Sequence, residues 1–196
     1  MIRPVALFLL ASLLAQPTLA EVHPAVMDAT FTEPETPKLQ PGQVAPAPVP
    51  PTCKIAVTSV ADTREYQTYM GNFFDQPFQP PADKIAWVKS MAQGLSKRGF
   101  DVKFAESGSI PAGYRPAKLE LKQAWIDYPN GGFQALVKLR FHSEDPARPH
   151  DKVYRGTFWR TLFMASVGGR SNEAFHNAVA VALDNIADDT RAFCGG

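Results

Sequence analysis

The stretch AKLELKQAWIDYPNGGFQALVKLRF, residues 117–141, decides the fold. Its second half places an apolar side chain at every other position, which is the period of a strand with one buried face. The run Pro129–Gly132 predicts a tight turn, because Asn-Gly and Gly-Gly accept the positive φ that hairpins need. The first half, Ala117–Tyr128, is then predicted to be the partner strand, with Leu119, Leu121 and Trp125 on one face.

Further strands and two helices are predicted on either side of this hairpin. The additional strands are Lys54–Val60, Phe100–Phe104 and Val153–Phe163. A first helix is predicted from Pro81 to about Arg98, where Gly99 ends it. Ser171 is predicted to cap the second helix. The apolar stripe of that helix consists of Phe175, Val179, Ala182 and Ile186.

The predicted elements follow the order β-α-β-β-β-β-α. A helix between the first two strands favours a parallel pair with a right-handed crossover, and short connections favour an antiparallel meander after them. We therefore predict an α+β fold, with one mixed sheet of about five strands and two helices packed on one face.

The N-terminal part of the chain has the features of an export signal and a spacer. Arg3 precedes an apolar run that ends in small residues, which is typical of a secretory signal over 1–20 with cleavage after Ala20. Residues 21–52 are predicted to be a disordered, proline-rich linker, since seven prolines lie between Pro34 and Pro51. Residues 53–194 are predicted to form a single domain.

The charge balance excludes two classes of protein. The chain has 20 Lys plus Arg and 19 Asp plus Glu, and the predicted signal contains one of the basic residues and none of the acidic ones. A balanced mature chain argues against a nucleic-acid binder and a polybasic membrane-surface protein. No segment after the signal has the length of a transmembrane helix, and no cofactor or metal is predicted. The oligomeric state is left open.

Two cysteines, Cys53 and Cys194, stand at the two ends of the predicted domain. An even count in an exported chain favours a disulfide, which here joins the entry of the first strand to the exit of the last helix. A nucleophile, a metal ligand and a free or intermolecular thiol are the alternatives. No histidine lies in a recognisable triad pattern, and two distant cysteines lack the spacing of a zinc site.

Several segments together resemble the YajG-like family of envelope lipoproteins, and more loosely the auxiliary lipoproteins of ABC-type lipid transport systems. They are KIAVTSVADTREYQTYMGN, LSKRGFDV, AKLELKQAW, YRGTFWR and SNEAFHNAVAVALDNIADD. The resemblance implies a periplasm-facing α+β domain of the bacterial envelope without catalytic residues. Members are similar in having an acylated N-terminal cysteine. Cys53 departs from that pattern, because it follows Pro50-Pro51-Thr52 and lies far beyond the apolar core of the signal.

The connection after the first strand is the first candidate binding site. It holds five aromatic residues within a short span: Tyr66, Tyr69, Phe73, Phe74 and Phe78. Aromatic side chains on a loop make large contacts with proteins, acyl chains or sugars at a small cost in conformational entropy. The alternative is that these rings fold inward and cover the core.

Charged residues give two further candidates. Asp62 and Arg64 follow the first strand, where they either contact a ligand or pair with each other on the turn. Arg170 follows two glycines at the predicted start of the last helix, a position suited to an anionic group. Simple capping by Ser171 is the alternative for this segment.

These features predict a non-catalytic periplasmic protein that binds an envelope protein or a lipid-like ligand. One alternative is a periplasmic hydrolase that uses Asp62 with His142 or His176. A purely structural envelope component is the other.

Overall fold

Five strands form one mixed sheet. The computed structural model describes residues 24–35, 53–74, 76–105, 109–161 and 167–194. In their spatial order, the five strands are β5 (Phe100–Phe104), β2 (Cys53–Asp62), β6 (Arg115–Asp127), β7 (Gly132–Ser143) and β8 (His150–Thr161). β2 pairs in parallel with β5 and β6, whereas β6, β7 and β8 form an antiparallel meander. The predicted fold class is confirmed, and so is the predicted element order for this sheet and its helices; three short strands of a second sheet were not predicted.

Two helices cover one face of this sheet, as predicted. α1 (Lys84–Gln93) packs on β2, and α2 (Val167–Cys194) packs on β7 and β8. The rings of Trp87 in α1 and Phe175 in α2 stack with their centroids 5.1 Å apart, so the helices also contact each other. The predicted apolar stripe of α2 is fully buried. We call the opposite side of the sheet the open face.

Of the predicted helix ends, only the one at Gly99 is confirmed, and α1 begins at Lys84 instead of Pro81. The side chain of Asp83 accepts a hydrogen bond from the Ala86 amide at 2.8 Å and caps α1. A 3-10 turn over Gly94–Arg98 continues the helix until Gly99 adopts φ 85°. The prediction for Ser171 is wrong, because α2 begins earlier, at Val167, and Ser171 lies buried within it. Within the described residues, neither helix is long and apolar enough to cross a membrane.

An N-terminal strap, residues 24–35, lies against the domain. Its strand β1 (Ala25–Val26) joins β4 (Gln76–Gln79) and β3 (Asn72–Phe73) in a small second sheet. The prediction of a disordered linker does not hold for this strap, because its apolar side chains pack against the hydrophobic core of the domain. Met27 is buried, for example. Residues 36–52 and the predicted signal lie outside the described residues.

Ionic contacts fasten the strap to the helices. Asp28 Oδ2 lies 3.0 Å from His176 Nε2 on α2. Arg98 bonds Glu33 of the strap at 2.8 Å and Asp184 of α2 at 2.6 Å. Arg98 is buried, and its guanidinium therefore connects the strap, α2 and the end of the first helical segment through two charge-assisted hydrogen-bonded pairs.

The predicted disulfide between Cys53 and Cys194 is confirmed. It joins the first residue of β2 to the last residue of α2, with the two Cα atoms 5.1 Å apart. With both sulfurs bonded to each other, the alternative roles as nucleophile, metal ligand or free thiol fall away.

Candidate functional site

A buried ion pair fixes the start of the loop that follows β2. Arg64 donates from Nε and Nη2 to the two carboxylate oxygens of Asp62, at 2.8 and 2.7 Å. Both side chains are about 97% shielded from solvent, and the guanidinium lies over the ring of Trp87. Of the two predicted roles, pairing between Asp62 and Arg64 describes the structure, and the pair is buried beside Trp87 of α1. The pair supports the loop from inside. Nη1 of Arg64 is buried and has no hydrogen-bond partner among the described residues.

A close backbone contact fixes the far end of the same loop. The Ile126 amide donates to the carbonyl oxygen of Met70 at 2.7 Å, and Gly71 bridges to Ile126. Gly71 has φ +105°, and a Cβ on it would lie 1.9 Å from the Ile126 carbonyl oxygen. Only glycine fits there, so the loop is held against β6.

Between these two anchors, the loop and β6 form a shallow pocket of about 390 Å³, which we call the aromatic pocket. Tyr69 and Trp125 meet edge to face, with ring centroids 5.3 Å apart. Tyr66 stands at the rim with 61% of its surface exposed. Lys122 and Gln123 add polar groups to the lining. Large rings with a few polar neighbours are the usual composition of a protein-binding surface.

A β-bulge places Trp125 in this pocket. The pairing of β6 with β7 shifts between Leu121 and Gln123, so the alternation of side chains changes phase. Ala124 and Ile126 consequently occupy the buried face after the bulge, and Trp125 turns to the open face. The prediction that Trp125 shares a face with Leu119 and Leu121 is therefore wrong. Lys122 and Gln123 were not predicted as site residues, because nothing in the period-two alternation of the sequence marks the extra residue of the bulge.

The remaining predicted aromatic residues divide between surface and core. Phe74 is 74% exposed, and Phe73 is half-buried in contact with it and with Tyr128. Phe78 is fully buried against Phe133, so a ligand cannot reach its ring. For Phe78 the inward-folding alternative describes the structure, since β4 turns this side chain into the core.

Arg170 does not stand at a loop that faces an anion. It lies within α2 and binds Glu173 at 2.7 Å. Arg160 of β8 binds the same carboxylate at 3.0 Å. The prediction of an anion-binding site at Arg170 is therefore wrong. The two glycines expected to precede the helix lie within it, and Arg170 is part of a cluster of ion pairs.

The three residues of the hydrolase alternative make their polar contacts elsewhere. Asp62 is engaged with Arg64, and His176 contacts Asp28 of the strap. His142 lies on the open face, 3.7 Å from Asp151. Within the described part of the chain, neither histidine forms a hydrogen bond or ion pair with Asp62, so nothing supports a catalytic pair. The described residues also contain no cluster of three or more metal-ligating side chains.

A phenol on β8 is likewise unsuited to nucleophilic chemistry. The hydroxyl of Tyr154 donates to Asp189 of α2 at 2.6 Å, and His150 Nε2 lies 2.7 Å from it. Burial, together with the bond to Asp189, raises the pKa of Tyr154 far above its usual range. The phenol therefore stays protonated, and the network links α2 to β8.

Ion pairs line much of the open face. The Lys118 ammonium lies 2.6 Å from Glu144, whose carboxylate also accepts the Thr58 hydroxyl, and these bonds lower the pKa of Glu144. Asp151 has a lowered pKa because Arg140 donates to it. Both carboxylates therefore favour the folded state in their charged form.

Replacing Glu144 with glutamine is expected to lower the melting temperature at pH 7 and to have little effect in acid. The folded-state pKa is lowered below the ordinary value of 4.5, so the stabilisation is complete above that value and is lost as the pH falls through the folded-state pKa. Thermal unfolding from pH 7 to pH 3 measures the difference in melting temperature between the wild type and the Glu144→Gln variant. Glu65→Gln is the control, since Glu65 is exposed and has no ion pair among the described residues. A difference in melting temperature that grows as the pH falls would contradict the prediction.

Comparison with known proteins gives distant structural likenesses. No family model matches the sequence, and no curated protein matches it significantly. A DUF330-family protein from Xanthomonas campestris is 10% identical with a TM-score of 0.46, covering 87% of this chain and 96% of that one. An uncharacterised protein is 9% identical with a TM-score of 0.47, covering 71% and 93%. A PelC dodecamer from Paraburkholderia phytofirmans is 11% identical with a TM-score of 0.31, covering 67% and 90%.

Likenesses at this level do not extend to function. The resemblance to the YajG-like family stays a prediction, since no family model includes the chain.

Proposed function

We propose that this protein is an exported, non-catalytic module of the bacterial envelope that works in the periplasm and binds a partner through the aromatic pocket. The observation that carries the proposal is the exposed ring of Tyr66 beside the half-buried Tyr69–Trp125 pair, where a loop anchored at both ends lies against β6. Exposed rings on a rigid support bind with little loss of conformational entropy.

Two further observations support the proposal, one on the absence of catalysis and one on the location. The candidate catalytic carboxylate, Asp62, is neutralised and buried by Arg64. The disulfide between Cys53 and Cys194 is of the kind that persists in oxidising compartments. An export signal and a structural disulfide are consistent with the same location.

A photo-crosslinking amino acid at Tyr66, introduced in cells that produce the full chain, tests this function. Adducts with a defined partner are expected from position 66 and not from Ile85, which is 53% exposed on α1. Tyr69→Ala in the same protein is expected to reduce the adduct yield roughly tenfold, because aromatic residues dominate binding surfaces. Equal labelling from positions 66 and 85 would contradict a site at the pocket and favour a purely structural role.

A further inference from the structure

Two cations on the open face lie directly opposite each other. Lys138 on β7 pairs in register with Arg155 on β8. Like charges in this position destabilise a sheet. Within the described ranges, neither side chain takes part in an ion pair, whereas the neighbouring Arg140 lies 2.5 Å from Asp151. The sheet therefore keeps two adjacent positive charges that its own carboxylates do not neutralise.

An apolar row runs beside these cations. Trp125, Leu136 and Thr157 lie next to one another on β6, β7 and β8, in the register positions adjacent to Lys138 and Arg155. A shallow hollow of about 220 Å³ is lined by residues of this row together with Arg155, Gln134 and Asp127. Trp125 also lines the aromatic pocket, so the two depressions adjoin at this residue.

We propose that this surface binds an acidic segment of a partner protein, an inference that rests on the proposed binding function. Carboxylates of the segment pair with Lys138 and Arg155, and the guanidinium provides the fork that matches a carboxylate. An apolar side chain of the segment packs on Trp125 and Leu136. The two cations call for acidic residues in the partner segment, and the apolar row calls for an apolar side chain beside them.

The same surface fits a protein better than an anionic bilayer. The open face also carries acidic side chains, among them Glu120, Asp127 and Asp151, which a negative membrane surface would meet at the same time. The whole chain has a formal net charge of only +1. Membrane-surface binding depends on an excess of basic residues, whereas interspersed charges of both signs suit a matched protein surface.

A photo-crosslinking amino acid at the exposed position Thr157 tests this proposal in cells that produce the full chain. The expected adduct is a protein segment that contains aspartate or glutamate near the crosslinked residue, identified by peptide sequencing. The variant K138E/R155E is expected to reduce its yield at least tenfold. The control variant K84E/K97E changes the net charge equally on α1 and the 3-10 turn, and it is expected to leave the yield unchanged. A lipid adduct, a segment without acidic residues or insensitivity to K138E/R155E would overturn the proposal.

A neutral double variant separates binding from folding. K138Q/R155Q removes the repulsion between the two cations, so its melting temperature is expected to equal or exceed that of the wild type while adduct formation falls. A lower melting temperature would show that these cations stabilise the fold and would overturn the proposal. If position 66 gives an adduct and position 157 gives none, the proposed function stands and the acidic-segment inference fails.

Discussion

Gly156→Ala is expected to lower the free energy of unfolding by at least about 3 kcal/mol. Gly156 lies on β8 beneath α2, and a Cβ there would stand 1.8 Å from the carbonyl oxygen of Ala178 and 2.7 Å from the amide nitrogen of Ala182. The obstacle is backbone, so no rotamer change relieves it. The helix must move away from the sheet, which opens the core on both sides of the contact. Chemical denaturation of the two proteins measures the difference.

Two variants make this test specific. Thr157→Ala changes the next residue on the opposite face of β8, where the side chain is exposed, and it is expected to alter stability by less than about 0.5 kcal/mol. Ala178→Gly combined with Gly156→Ala is expected to restore nothing, because the clash is with the main chain. Near-native stability of Gly156→Ala would show that α2 does not rest on β8 as described.

Replacing both Cys53 and Cys194 with serine is expected to lower the free energy of unfolding by about 4 kcal/mol. The bond closes a loop across a sequence separation of 141, and such a long loop gains much freedom in the unfolded chain once the bond is removed. The loss is measured by denaturation under non-reducing conditions.

Reduction of the wild-type protein separates the covalent bond from the packing of the sulfurs. Cys53 is buried, so serine also introduces a hydroxyl into an apolar site. The reduced wild type is expected to lose most of the same stability while it keeps both sulfur atoms. Equal stability of oxidised and reduced protein would contradict a bond between these two residues.

Much of the fold follows from local patterns in the sequence. The alternation over Phe133–Phe141 and the Asn130-Gly131 turn define the hairpin, and Gly99 ends the first helical segment as its lack of a Cβ permits. The buried stripe of α2 follows helical spacing. These signals are reliable because each depends on neighbouring residues alone.

Other features depend on contacts between distant residues, so local patterns do not predict them. The bulge after Leu121 is set by how β6 pairs with β7, and it decides that Trp125 faces the aromatic pocket. The burial of Arg64 depends on Trp87 in a helix that comes later in the chain. Phe78 and Phe74 look alike in sequence, yet Phe78 lies on β4 and is buried in the core, whereas Phe74 follows β3 with a φ of 51° and is exposed.

The N-terminal strap determines how the domain responds to tension. A pull on the chain ahead of residue 24 acts first on the short pairing of β1 with β4 and then on the contact between Asp28 and His176. The ion pair between Glu33 and Arg98 comes next, and the disulfide at Cys53 lies further along the chain. A force applied there thus acts on these attachments in their order along the chain, and it reaches the sheet only after the strap has detached.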